Sequence, residues 1–395
     1  MEEKMKKALL AAALMSAGVV AHAQSSVTLY GRLDAGVEYI SGLPNNSYNG
    51  STSRVRLESG DWGTSLWGMK GVEDIGGGNK ILFQLEGSFS TATGALGSAG
   101  SLWNRWATVG GSNDQFGTLL LGRELFISNG VWDFDPFGQS NWSSASLVRG
   151  RNWPQSSNNV SYQSPKFGGF DVYGQYSFSN STSFNGGGGT PSTAAPGRED
   201  GLQLTYTNSL FQVRGLYDEI RNNVNGSLGD PSSGSVNGPF SFGREYFAGV
   251  NVFLGQFKIQ AVYQGARTSG ETGVPIGTPT TTDQEWGGVT WQATPAAALI
   301  AAVYHVNANN GAGNANIYTI GGSYNLSKRT LLDIQIATVR NSKTANFGLD
   351  ANNAGAGGTV GGTAADPGTG GAAYNENPTP GHSQTGVYAG IQHSF

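Results

Sequence analysis

Val27-Thr28-Leu29-Tyr30-Gly31-Arg32-Leu33-Asp34-Ala35-Gly36-Val37-Glu38-Tyr39 places an apolar residue or glycine at every odd position, and Thr28, Arg32, Asp34 and Glu38 at even ones. Successive side chains of an extended chain point to opposite faces, so this stretch is a strand greasy on one side and charged on the other. The same period recurs along the chain. Ile81, Phe83, Leu85 and Phe89 alternate with Lys80, Gln84 and Glu86; Phe257, Ile259, Ala261 and Tyr263 alternate with Lys258, Gln260 and Gln264. Leu332, Ile334 and Ile336 flank Asp333 and Gln335, and the chain ends with Val387, Ala389, Ile391 and Phe395 in phase. Alternation by itself also fits a sheet that turns one face to water, so it defines an all-β chain and not yet its solvent.

Sixteen such segments can be counted, near 26–40, 63–73, 79–90, 101–111, 115–124, 158–165, 168–180, 200–208, 210–221, 244–254, 256–268, 284–293, 297–307, 316–326, 329–341 and 385–395. Most approach the roughly 9–11 residues that a tilted strand needs to cross a bilayer. Their connections alternate in length. Asn208-Ser209, Gly255 and Ser327-Lys328 make tight turns, whereas 41–62, 125–157, 181–199, 222–243, 269–283 and 342–384 are long and rich in Gly, Ser, Asn and Thr. Short turns at one rim and long loops at the other suit a barrel inserted into a membrane from one side. An even strand count agrees, and the expected fold is a 16-stranded antiparallel transmembrane β-barrel. Tyr39, Trp62, Trp67, Trp103, Trp106, Tyr162, Tyr206, Tyr217, Trp286 and Trp291 fall mostly near strand ends, where interfacial aromatic girdles belong.

The N-terminus reads as an export signal. Lys4, Lys6 and Lys7 precede an apolar run from Ala8 to Val20, and Ala21-His22-Ala23 fits a small-x-small cleavage pattern. Residues 1–23 are therefore expected to be a signal peptide and 24–395 one barrel domain. Without the leader's three lysines and two glutamates, 23 basic and 27 acidic residues become 20 and 25, a net charge of −5. No basic face for nucleic acid is indicated. Cysteine is absent, and His22, His305, His382 and His393 do not share a metal-ligand spacing. No metal, cofactor or catalytic site is expected.

Several stretches resemble the Gram-negative diffusion porins, particularly those of β-proteobacteria. They are Ser26 to Ala35, Gly68-Met-Lys-Gly-Val-Glu-Asp-Ile-Gly-Gly-Gly78, Leu121-Gly-Arg-Glu124 followed by Asp135-Pro-Phe-Gly138, Tyr162 to Phe170, and Gly386 to Phe395 with its terminal aromatic. The resemblance implies a homotrimer in the outer membrane, passing small hydrophilic solutes and ions, with the third loop folded inward to form a constriction. Carried over by position, the wall arginines of that constriction are Arg32, Arg105 and either Arg151 or Arg149, with Arg123 at the loop entrance. Asp133 and Asp135 are the facing loop acids. Phe395 would be the terminal signal read by the barrel-assembly machinery. Leu66 stands where related second strands often carry a wall arginine.

The period supports a wet inner face independently. Arg32, Asp34 and Glu38 share the parity opposite Leu29, Leu33 and Val37, and so line the pore if the apolar set meets lipid. A basic residue on the lipid face would cost about 2–4 kcal/mol at midplane. Two further readings are a solute-specific channel, with Trp132, Phe134, Trp142 and Trp153 as a binding track, and a non-channel barrel acting as an adhesin through loop 342–384.

Overall fold

The computed structural model describes residues 26–45, 49–98, 100–138, 140–147, 155–178, 198–221, 242–269, 280–349 and 376–395. One sheet contains β1 (Ser26–Pro44), β2 (Ser51–Ser59), β3 (Leu66–Gly76), β4 (Asn79–Ser88), β5 (Trp106–Asn113), β6 (Gly117–Leu125), β7 (Gln155–Gln163), β8 (Phe170–Ser177) and β9 (Arg198–Thr207). It continues through β10 (Phe211–Arg221), β11 (Phe242–Leu254), β12 (Phe257–Ser269), β13 (Thr281–Gln292), β14 (Ala297–Ala308), β15 (Gly313–Asn325), β16 (Thr330–Asn341) and β17 (Gln384–Ser394).

Every neighbour is antiparallel, and β17 returns to β1 in register from Arg32↔Ser394 to Ser41↔Thr385, closing the sheet. β2 and β3 lie end to end along the other side of β1: Ala35–Pro44 pairs with β2, and Ser26–Arg32 pairs with Leu66–Val72. The seventeen hydrogen-bonded segments thus make sixteen staves. Closure removes the unpaired edges that an open sheet would expose to hydrocarbon.

The composition of residues 41–62 predicts a long loop, but β1 continues to Pro44 and β2 occupies Ser51–Ser59. In β2, Val55 and Leu57 are outward and about two-thirds exposed, while Arg54, Arg56 and Glu58 point inward. The second stave then breaks at 60–65, with Gly60 at φ +81°, before resuming at Leu66. Three charged residues in a short alternating run made this segment look like loop.

Burial is inverted relative to a protein folded in water. Val27 is 67% exposed and Leu29 61%, whereas Asp34 and Glu38 are buried. Leu202, Leu204, Leu299, Val303, Ile320 and Ile334 repeat the outward apolar pattern on other staves. An exposed apolar belt of this extent would drive association in water and is the natural outer face of a barrel in lipid. Tyr39, Tyr162, Tyr217 and Trp291 lie on this outer surface, as the girdle reading expects, but Trp62 and Trp286 lie within the barrel. The apolar core is also inside. It joins Phe126, Ile127, Val131, Phe134, Phe137, Trp142 and Leu147 to inward residues of the wall such as Tyr304, Val306 and Ile317.

Candidate functional site

The segment after β6 enters the barrel instead of arching over it. A 3-10 turn, Ile127–Phe134, buries Ile127, Val131 and Phe134 along one side, and Asp135 and Pro136 follow. A second short turn, Ser144–Ser146, precedes the return.

Two complementary devices hold this loop against the wall. On alternate staves, the loop's apolar groups lie over inward-facing glycines. Ile127 covers Gly201 on β9, Phe134 covers Gly249 on β11 and Pro136 covers Gly288 on β13; Phe137 covers Gly321 on β15 and Trp142 covers Gly386 on β17. A methyl group at any of these glycines would stand only 2.4 to 2.9 Å from the loop atom above it. Glycine within a strand weakens the sheet, and here it provides the close approach that the loop needs.

The intervening staves supply polar anchors. Arg214 on β10 donates to the Gly130 carbonyl (2.6 Å) and the Asp133 carboxylate (2.7 Å). Lys258 and Gln260 on β12 donate to the Asp133 carbonyl at 3.2 and 3.1 Å. Tyr304 on β14 donates to Asp135 Oδ1 (2.7 Å), and Gln335 on β16 to the Trp142 carbonyl (3.2 Å). Trp286 Nε1 and Thr319 Oγ1 add bonds to the carbonyls of Phe134 and Trp142. Buried backbone groups of the loop are thereby satisfied by the wall.

These contacts separate the two loop acids. Asp133 has an exposed side chain paired with Arg214. Asp135, expected at the constriction, is only 3% exposed: besides Tyr304, its carboxylate accepts from the backbone N–H groups of Phe137 (2.9 Å) and Ser144 (3.2 Å). Desolvation raises its pKa, with those hydrogen bonds opposing the shift. Asp135 is thus an anchor of the loop, because the Asp-Pro turn faces the wall. Phe134 and Trp142 are likewise fully buried against the wall, so they do not form an open aromatic track; Trp153 lies outside the described residues.

The opposing wall, from β1 to β6, carries Arg32, Arg105 and Arg123. Arg32 donates to the Thr64 carbonyl at 2.9 Å, within the break of the second stave. Arg105, just before β5, forms a buried pair with Glu86 (2.6 Å), and Tyr30 donates to the other oxygen of Glu86. Arg123 donates to the Asn104 carbonyl and to Ser157 Oγ, both at 2.6 Å, and pairs with neither loop acid. Arg149 and Arg151 lie outside the described residues.

Asp34 and Glu38 point inward as expected, but each is enclosed. Asp34 accepts from Tyr388 and Gln392, beside Ser65, whose hydroxyl bonds its backbone. Glu38 meets Arg54 (3.3 Å) and Arg56 (3.0 Å). The same arginines engage Glu376, which descends from the final long connection, and Arg56 also pairs with Glu58. Neither acid is an open pore-lining group, since the stave break and β2 cover them. Sequence reading missed Arg54, Arg56 and Arg214. The alternation Arg54-Val55-Arg56-Leu57-Glu58 was the available signal for the first two. Nothing local marks Arg214 as the partner of Asp133, 81 residues away.

Phe395 sits at the closing seam. It exchanges two backbone hydrogen bonds with Gly31 at 3.0 and 3.1 Å, and its ring occupies the space that a Gly31 side chain would fill.

A model of the Gram-negative porin family matches residues 8–344. Outer membrane porin protein 32 of Delftia acidovorans is 30% identical over 403 aligned residues, covering 99% of this chain and 100% of that protein. An outer membrane porin protein of Bordetella pertussis is 30% identical over 381 residues, covering 83% of this chain and 92% of its own length. Among solved structures, an anion-selective porin from Comamonas acidovorans matches with a TM-score of 0.72 at 24% identity, covering 94% of this chain and 100% of that chain.

Proposed function

The chain belongs to the Gram-negative porin family and resides in the outer membrane, and from that premise we propose that it is a passive diffusion channel for small hydrophilic solutes and ions with a mild preference for anions. The observation that carries this reading is the loop clamped to β9–β17, which leaves the polar inner face of β1–β5 as the opposing wall of the passage. A solute crossing there would meet fixed charge on both sides, and a transverse field sorts permeants by charge and dipole.

Most inward arginines are matched by carboxylates: Arg105 by Glu86, Arg214 by Asp133, and Arg54 and Arg56 by Glu38, Glu58 and Glu376. Arg32, Arg123 and Lys258 instead bond carbonyl or hydroxyl oxygens and form no ion pair among the described residues. They are among the positive groups left to attract an anion, which accords with the relative described as anion-selective. We also assign to this reading a homotrimer, recognition of the Phe395-terminated strand by the assembly machinery, and cleavage after Ala23.

The test is planar-bilayer recording of the refolded mature chain. Stepwise ohmic conductance, with a reversal potential in a salt gradient that favours anions, is expected, and Arg32→Gln with Lys258→Gln should move it toward cations. Absence of conductance, or an unmoved reversal potential, would refute the reading. Current that saturates with one solute class would favour a solute-specific channel.

A further inference from the structure

On the wall opposite the clamped loop, three side chains break the polar pattern of the inner face. Val72 on β3 pairs with Leu82 on β4, Leu82 with Gly110 on β5, and Gly110 with Leu120 on β6, so they form one row across four staves. Their neighbours on the same face are polar: Lys70, Lys80, Gln84, Thr108, Ser112 and Thr118. Val72 is 38% exposed, and Leu82 and Leu120 are half-buried. The Leu120 side chain leans across Gly110, where its Cδ2 would stand 2.9 Å from an added Cβ. The row is therefore a continuous apolar strip, roughly 15 Å across three strand spacings. It lies between the short turns and the Glu86–Arg105 pair, and the infolded loop, seated on β9–β17, leaves it uncovered. Apolar side chains on a wet wall contribute nothing to the barrel's stability.

The two edges of the strip differ in charge. On the edge toward the constriction, Lys70, Gln84 and Thr108 stand side by side on β3, β4 and β5. Lys70 is exposed, its Nζ lies 5.3 Å from the centre of the Tyr30 ring, and it forms no ion pair among the described residues. The carboxylates beyond it are engaged: Glu86 by Arg105 (2.6 Å), and Glu124 by the hydroxyls of Ser161 (2.8 Å) and Tyr173 (3.1 Å). On the edge toward the turns, Lys80 pairs with Asp114 (3.2 Å), and Asp74 stands opposite Lys80. Two acids and one base there repel an anion, whereas the unmatched ammonium at the other edge attracts one.

We propose that this strip is a solute subsite for an amphipathic monocarboxylate, an acid carrying an aryl or branched alkyl group. The carboxylate meets Lys70, and the apolar body lies over Val72, Leu82 and Leu120. Charge complementarity fixes both the sign and the orientation of the occupant. Lys70 and Val72 are alternate residues of one strand, roughly 7 Å apart, which matches the span from carboxylate to ring in a small aryl acid. An acid without an apolar body gains only the ammonium contact, and an apolar amine meets Lys70 with like charge. The subsite deepens the channel reading, since it rests on a water-filled lumen and names a solute class that is held just beside the constriction.

The test is saturation-transfer NMR of the refolded protein in micelles, titrated with phenylacetate, acetate and phenethylamine, with protein-free micelles as the blank. Phenylacetate should bind about tenfold more tightly than acetate, because covering about 55 Å² of apolar surface is worth that factor. Phenethylamine should bind more weakly than phenylacetate by a similar factor. Leu82→Ser/Leu120→Ser should bring phenylacetate down to the level of acetate, and Lys70→Gln should weaken both acids. Should the double variant fail to fold, Val72→Ser and Lys70→Gln decide the matter. Equal affinity for phenylacetate and acetate overturns the proposal. So does phenethylamine binding as tightly as phenylacetate, which indicates a site blind to charge, or phenylacetate affinity that the variants leave unchanged. Conductance in potassium chloride is recorded on the same preparations. Selective binding without conductance refutes the channel reading alone, and conductance without discrimination among the three probes refutes the subsite alone.

Discussion

Replacing Gly386 by alanine puts a methyl group 2.7 Å from Trp142 Cη2 and 2.8 Å from Cζ2, and Trp142 atoms are its three nearest neighbours. Ordinary carbon contact begins near 3.4 Å, so the indole must withdraw from β17 by the difference, about 0.7 Å. Trp142 is fully buried, and its carbonyl is held by Thr319 and Gln335, so the shift is passed to the loop backbone. Overpacking of this size costs about 1–3 kcal/mol in a close-packed core. Two assays read it: urea unfolding in lipid vesicles for stability, and single-channel recording for pore size. Gly386→Ala should destabilise the barrel and lower conductance, although Gly386 itself never faces the passage. Trp142→Ala should cost about 3–5 kcal/mol through the cavity it leaves. In that background the added methyl has nothing to strike, so Gly386→Ala should become nearly neutral. If the glycine substitution costs the same with and without Trp142, the wall glycines do not set the position of the loop.

Gly31→Val would place a Cβ 2.3 Å from Phe395 Cζ and 2.9 Å from the Leu66 carbonyl, and should block closure at the seam; the loss would be read as absence of the heat-modifiable folded band on electrophoresis. Arg105→Ala strands the buried Glu86 carboxylate and should destabilise by about 3–5 kcal/mol, while Arg105→Ala with Glu86→Gln should recover much of the loss. Asp133→Asn should shift the reversal potential toward anions, whereas Asp135→Asn should leave selectivity nearly unchanged and weaken loop attachment instead. Because burial raises the Asp135 pKa, its folded form holds a proton more tightly than its unfolded form. That contribution to stability is present in acid and lost as pH rises through the folded value, so Asp135→Asn should flatten this part of the pH–stability profile.

Much of the barrel was legible because strand period and loop length are local properties of the chain. The thirteen-residue run from Val27 to Tyr39 carries both faces of a stave, and its parity placed Arg32, Asp34 and Glu38 inside. Parity assigns a face, however, and not an environment. Whether an inward carboxylate meets water depends on what else enters the barrel: the break at 60–65 over Asp34, the β2 arginines around Glu38, and the turn that directs Asp135 at Tyr304. The same limit applies to glycine. Gly201, Gly249, Gly288, Gly321 and Gly386 are scattered over nearly two hundred residues, and their shared role arises only when closure brings alternate staves under one loop. The sequence by itself determined the alternation, the number of crossings and the two rims, since each depends on neighbours a few residues apart. Which charges are paired, and which glycines seat the loop, was decided by contacts between distant segments, whose energies exist only in the closed barrel.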